Sequence, residues 1–224
     1  DNDVARFSNL ETGQLTTLDA TLNMDLIVQG IVKCYPNLSD VLDIGCGAGN
    51  YDVKLLSHAS PLNITLADLS MPMLTEAKAR VAALNKGGST TVVKGDFGAL
   101  PIEEGTYDVI IATAVLHHLR EDADWESSFA KFYKWLKPGG SIWIFDLVQQ
   151  ATEGLQQLIY DEKYGEYLTA LQHEDYRDHV FSYIAKEDSP RSLSYQLELM
   201  RKIGFKEIDI LHKNLCFASF VGFK

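Results

Sequence analysis

Short apolar runs alternate with amphipathic stretches along most of this chain. The runs at 41–44, 64–68, 91–97, 107–113 and 141–147 are rich in Val, Ile, Leu and Thr, and their length suits buried strands. Between them, apolar residues return at helical spacing. Leu22, Leu26, Ile27, Ile31 and Val32 form one stripe over 21–34, and Val53, Leu55 and Leu56 begin a second helix after Gly49. Met73, Leu74, Ala77 and Val81 face one side of a third helix, which Ser70 caps with Pro72 in its first turn. Trp125, Phe129, Phe132 and Leu136 mark a fourth over 121–136, stopped by Lys137-Pro138-Gly139-Gly140. A last helix opens at Ser192 and stops at Gly204; strands at 205–212 and 215–223, joined by Lys213-Asn214, close the chain as a hairpin. Strand–helix alternation of this kind predicts an α/β domain with a mostly parallel sheet.

Two segments break the alternation. Residues 1–20 scatter Phe7, Leu10, Leu15 and Leu18 among polar residues, which reads as an N-terminal arm, or as a lid that brings Gln14 or Thr16 over a ligand. Residues 149–190 carry five tyrosines, His173 and His179, with nine acidic residues against three basic ones. This segment reads as an insertion between the fifth strand and the last helix, forming a cap over an acceptor pocket. Because strands resume after it, one domain spanning 1–224 is expected, with 1–34 as its arm and first helix.

Composition narrows the class. With 46% hydrophobic residues in 224, a full core is available, yet no apolar run reaches the roughly 18 residues of a membrane span. The polar, acidic start lacks a secretory-signal pattern. Cys34, Cys46 and Cys216 are odd in number and far apart, which argues against a disulfide frame or zinc site and fits a cytoplasmic setting. A net charge of −11, without a Lys/Arg cluster, opposes a nucleic-acid partner.

The candidate chemistry starts where the first strand ends. Gly45-Cys46-Gly47-Ala48-Gly49 reads G-x-G-x-G, one residue short of a dinucleotide fingerprint. Asp43 precedes it inside the strand end, where a carboxylate suits an ammonium better than a pyrophosphate. Asp68 follows the glycines by about 20 residues, the distance at which an acidic residue meets ribose hydroxyls. This turn resembles the first motif of the class I S-adenosylmethionine-dependent methyltransferases. The Gly95-Asp96-Phe97 strand end, the fourth strand running into Thr113 and Ala114, the Lys-Pro-Gly-Gly turn and the terminal hairpin are similar to the same family.

The resemblance implies a doubly wound, mostly parallel seven-stranded sheet of Rossmann-like type with an antiparallel C-terminal hairpin. It implies S-adenosylmethionine (SAM) as cofactor, held by Asp43, Gly45, Cys46 and Gly47, by Asp68 with Leu69 and Met73, by Asp96 and Phe97 at the adenine, and by Thr113 and Ala114 beneath the methionine part. On the acceptor side, His117, His118 and Asp146 are the catalytic candidates. Tyr160, Tyr164, Tyr176 and Arg177 are the candidates for binding a small acceptor, cationic or aromatic in character. Asp175 and His179 share a helix face beside His173 and Glu174, but read as solvated residues, so no metal is expected.

The expected activity is methyl transfer to a small molecule. One alternative is carboxyl transfer onto SAM, as in enzymes that serve tRNA wobble-uridine modification, with Arg177 or Arg191 as the cation. Another is a non-catalytic SAM-binding module. A dehydrogenase is opposed by the glycine spacing and by the hairpin. The acceptor, its nucleophilic atom and the choice between monomer and homodimer stay open at this point.

Overall fold

The structure, a computed structural model, describes residues 14–224. Its strands are β1 (Asp40–Ile44), β2 (Asn63–Asp68), β3 (Ser89–Lys94), β4 (Tyr107–Thr113), β5 (Leu136–Leu147), β6 (Lys206–Asn214) and β7 (Phe217–Phe223). They form one sheet in the order β3-β2-β1-β4-β5-β7-β6. The pairings from β3 across to β5 are parallel, and β7 runs antiparallel to both β5 and β6. The expected parallel sheet with a terminal hairpin is therefore present.

Helices cover both faces. On one side lie α1 (Ala20–Cys34), α2 (Asn50–Leu56) and α3 (Met71–Leu84), which bury Ile27, Leu55 and Val81 against Val41, Val109, Ile111 and Trp143. On the other, α4 (Asp122–Trp135) packs Trp125, Phe129 and Phe132 on Leu42, Ile44, Ile110 and Ile142. Alternate residues of each central strand thus feed opposite cores, which is why these strands read as continuous apolar runs. Gly30 of α1 is set by this packing: a Cβ there would come within 2.6 Å of the Trp143 ring.

The fourth helix ends one residue before its expected limit. Leu136 is already extended and opens β5, and the register jumps from Tyr107–Leu136 to Val109–Ser141. The Lys-Pro-Gly-Gly stretch is a bulge inside that strand, with the Gly139 N–H bonded to the Lys224 carbonyl.

Residues 153–187 are helical nearly throughout. Helix α5 (Glu153–Gln156) continues through a π-helical stretch, Gln157–Tyr164, into α6 (Gly165–Leu171), and α7 (Glu174–Glu187) follows. Then α8 (Leu193–Ile203) leads to the hairpin. The far end of the segment is fastened to the loop after β4: Ser189 N–H donates to the His117 carbonyl at 2.6 Å, and Arg191 donates to the Arg120 carbonyl. Phe7 and Leu10 lie outside the described residues. Of the rest of the arm, Thr16 and Leu15 accept hydrogen bonds from the Tyr164 and Tyr167 hydroxyls, each at 2.8 Å. No described helix is long and apolar enough to cross a membrane.

Candidate active site

Ile44 pairs with Ala67 on one side and Ala112 on the other, so β1, β2 and β4 end level. That alignment brings the glycine turn, Asp68 and Ala114 to one edge of the sheet. Gly45, Gly47 and Gly49 all have φ between +51° and +73°, where a side chain is strained. A Cβ on Gly45 would collide with Val115, whereas a Cβ on Gly47 would meet nothing within 4 Å. The turn is thus closed on its protein side and open on its outer side, a cradle for a close-fitting ligand.

Beneath it, Asp43 and Asp52 bury two carboxyls together. Both side chains are essentially inaccessible, and among the described residues Asp43 Oδ1 and both Asp52 oxygens lack a hydrogen-bond donor. Burial, then the Asp52 charge, pushes the Asp43 carboxyl well above the carboxylate range. Burial likewise pushes Asp52 up to about 6, and the neighbouring Asp43 carboxyl pulls the other way. Among the described residues no basic side chain is paired with either carboxyl. An orphaned buried oxygen at Asp43 and an open glycine cradle fit the ammonium end of SAM. Burial drives the Cys46 thiol far up, so it stays protonated.

The other expected cofactor residues fall around the same edge. Asp68 Oδ2 accepts from Gly47 N–H at 2.9 Å and Oδ1 from Ser70 N–H at 2.8 Å, so the carboxylate also ties the glycine turn to the start of α3. Leu69 is largely exposed beside it, and Met73 is half-buried in the first turn of α3. Asp96 is exposed and caps the turn Phe97–Ala99, accepting from Gly98 N–H; the Phe97 side chain lies outside what is described. Thr113 ends β4 buried, and Ala114 follows in the left-handed region at φ 51°. A non-glycine residue held there is backbone strain of the kind found at functional sites.

Asp146, near the end of β5, organises the loop after β4. Its Oδ2 accepts from the N–H groups of Val115, Leu116 and His117, and its Oδ1 from Leu147 N–H and the His117 ring Nδ1. The loop after β4 therefore wraps a buried carboxylate. Burial pulls the His117 ring down, but the Asp146 charge and hydrogen bond, with Asp188 adding, bring it above its ordinary value. With Nδ1 committed to Asp146, the free edge of the ring is Nε2, 3.8 Å from Asp188 Oδ1.

These groups open onto a cavity of about 480 Å³. His117, His118, Asp146 and Asp188 form its polar wall beside Ala114, and Tyr176, Val180, Tyr183 and Ile184 of α7 also line it. Tyr164, also expected here, lines the cavity through its buried ring, its hydroxyl spent on Thr16. Thr16 itself lines the cavity, as does Thr17. Tyr160 and Arg177 are not among the lining residues: Tyr160 stacks on Phe181 at 4.9 Å, and Arg177 Nε donates to Asp178. His173 caps α7, accepting from Tyr176 N–H at Nδ1. Sequence reasoning missed Asp52 and Asp188. An acidic residue in a first helical turn reads as a surface dipole partner, and Asp188 before Ser189-Pro190 reads only as a helix end.

Comparison with known proteins agrees with this geometry. Residues 41–140 match the family model described as a methyltransferase domain. A ubiquinone/menaquinone biosynthesis C-methyltransferase of Ruegeria sp. (strain TM1040) is 31% identical over 121 residues, 54% of this chain and 47% of that protein. Phosphoethanolamine N-methyltransferase 3 of Arabidopsis thaliana is 28% identical over 77% of this chain and 33% of its own length. The chain thus spans about half, or less, of these relatives. Among solved structures, a SAM-dependent methyltransferase of Methanosarcina mazei shares the fold at TM-score 0.61 and 15% identity, over 87% of this chain and 96% of that one. Phosphoethanolamine N-methyltransferase 2 of Haemonchus contortus, in complex with phosphomonomethylethanolamine and S-adenosylhomocysteine, matches at TM-score 0.56 and 20% identity, over 82% and 38%. The strand order, the glycine turn and the family match agree: residues 41–140 match a methyltransferase domain, and the sheet built around them has the fold of the S-adenosylmethionine-dependent methyltransferases.

Proposed function

We propose that this chain transfers a methyl group from SAM to a small-molecule acceptor bound in the cavity beneath α7. One observation carries the proposal: at the end of β4 the strained Ala114 lines the cavity while its neighbour Val115 packs against Gly45 of the glycine turn, so one short stretch of chain joins the two. Asp43 and the glycine turn would hold the amino-acid end of SAM, Asp68 with Leu69 and Met73 the ribose side, and Asp96 with Phe97 the adenine. SAM supplies a methyl on a sulfonium, which is already a good leaving group. The protein's contribution is then mainly alignment, which is worth about 7–11 kcal/mol of barrier when the geometry is right.

The segment 149–190 acts as a cap. It closes the cavity with apolar and tyrosine surface and is anchored at Ser189 and Arg191. Among the described residues no Lys or Arg lines the cavity. A phosphorylated acceptor of the kind in the Haemonchus contortus complex would find no lysine or arginine among the described lining residues, which favours an acceptor with an uncharged, partly aromatic body. The same observation weakens carboxyl transfer onto SAM. Arg177 is turned to Asp178, and Arg191 to Asp122, Ser189 and Arg120.

The test is label transfer. Methyl-labelled SAM incubated with the protein and a small-molecule extract should place label in one or a few metabolites and generate S-adenosylhomocysteine. Tight SAM binding without label transfer would point instead to a non-catalytic module. A product heavier by a carboxylate would revive the alternative chemistry.

A further inference from the structure

The polar wall of the cavity contains a group that methyl transfer by positioning does not require. His117, His118 and Asp188 each bring one ligating atom into a cluster in which all three lie within 4.8 Å of one another. His118 Nδ1 is 3.0 Å from Asp188 Oδ1, and His117 Nε2 is 3.8 Å from the same oxygen. Ligands about 2.0–2.2 Å from a common ion stand about 3.0–3.5 Å apart, so two of these separations bracket that spacing without large rearrangement.

Two further observations point to a ligand. The Asp188 side chain is 4% exposed, yet among the described residues its Oδ1, near both rings, accepts no hydrogen bond of good geometry. A buried carboxylate oxygen left this way is costly unless a cation or donor completes it. Secondly, His117 is already oriented as metal-binding imidazoles are. Its Nδ1 is held by Asp146, itself fixed by four backbone N–H groups, and this leaves Nε2 directed at Asp188. A carboxylate behind the ring nitrogen that faces away from the ion sets the tautomer and raises ligand basicity.

We propose that His117 Nε2, His118 Nδ1 and Asp188 form a binding site for one divalent first-row transition ion of the zinc class. Two imidazoles and one carboxylate suit such ions and leave coordination positions open. The open side faces the cavity, where an acceptor's oxygen or nitrogen would complete the ion's coordination. The ion would place a fixed positive charge in a cavity that no described Lys or Arg lines, and would select acceptors that present a donor atom at that point. Its role in catalysis rests on the methyltransferase activity proposed above; its binding does not. It departs from the sequence-based expectation because Asp188 lies 70 residues from His118 and joins it only through the fold.

Co2+ titration of the metal-stripped full chain reads binding without turnover. One equivalent should bind, with visible d–d absorption of a mixed nitrogen and oxygen site, and Zn2+ should displace it. Asp188→Asn and His118→Ala should each weaken Co2+ binding at least 10-fold, while Glu162→Gln, a cap residue outside the cluster, leaves it unchanged. Circular dichroism and S-adenosylhomocysteine binding confirm that each variant is folded. Failure of the wild-type chain to bind Co2+ or Zn2+ at one equivalent would overturn the proposal, as would undiminished binding in both cluster variants. Metal binding without label transfer would keep the site and remove the methyltransferase activity; label transfer by metal-free protein with no metal affinity would do the reverse.

Discussion

Asp52→Asn isolates the energetics of the buried carboxyl pair. In the wild-type chain, burial disfavours the charged form of Asp52 and pushes it up to about 6, and burial and the Asp52 charge raise Asp43 well above its usual range. A carboxyl whose folded pKa lies above its unfolded value near 3.9 binds its proton more tightly in the folded state. Below about pH 4 both states are protonated and Asp52 makes no difference. As pH rises from about 4 to past 6 the unfolded chain ionises first, and stability falls. A displacement of about two units corresponds to roughly 3 kcal/mol at pH 8. Asparagine keeps the shape, cannot ionise, and can donate to Asp43. The variant should therefore be more stable than wild type at pH 8, by about 1–3 kcal/mol, and this gain should vanish near pH 4. Urea unfolding at a series of pH values, without cofactor, measures it. Parallel stability curves for the two proteins, with a constant offset across pH 4 to 8, would refute the reasoning.

Three other substitutions test separate parts of the molecule. Asp68→Ala should weaken S-adenosylhomocysteine binding roughly 10- to 100-fold by calorimetry, and Asp68→Asn, which retains one oxygen, should lose less. Gly30→Ala should destabilise the fold by about 1–3 kcal/mol despite the better helix propensity of alanine, because the new methyl meets Trp143 at 2.6 Å; an increase in melting temperature would contradict that packing. Asp146→Asn should cost at least about 2 kcal/mol in denaturant unfolding, since an amide nitrogen cannot accept from the N–H groups now bound there.

Much of this architecture was legible because each element carries its own periodicity. The central strands are buried on both faces and therefore read as unbroken apolar runs, and Ser70 and Ser192 do cap the helices they precede. Asp43, Asp68 and Ala114 were legible because they sit at strand ends in fixed register with the glycine turn. The acceptor side was not. Its geometry depends on Asp146 gathering a loop, and on α7 returning Asp188 to two histidines 70 residues earlier. Neither contact leaves a local pattern. Tyr160 and Arg177 show the converse: residue type suggested a pocket, but helical phase turned one to the core and the other to Asp178.

The central claim, a SAM site at the glycine edge of the sheet, is tested most directly by titrating the full chain with S-adenosylhomocysteine and, separately, with NAD. One equivalent of S-adenosylhomocysteine should bind, with affinity reduced in Asp68→Ala, and NAD should give no heat. Binding of NAD, or no binding of S-adenosylhomocysteine by folded protein, would contradict the account.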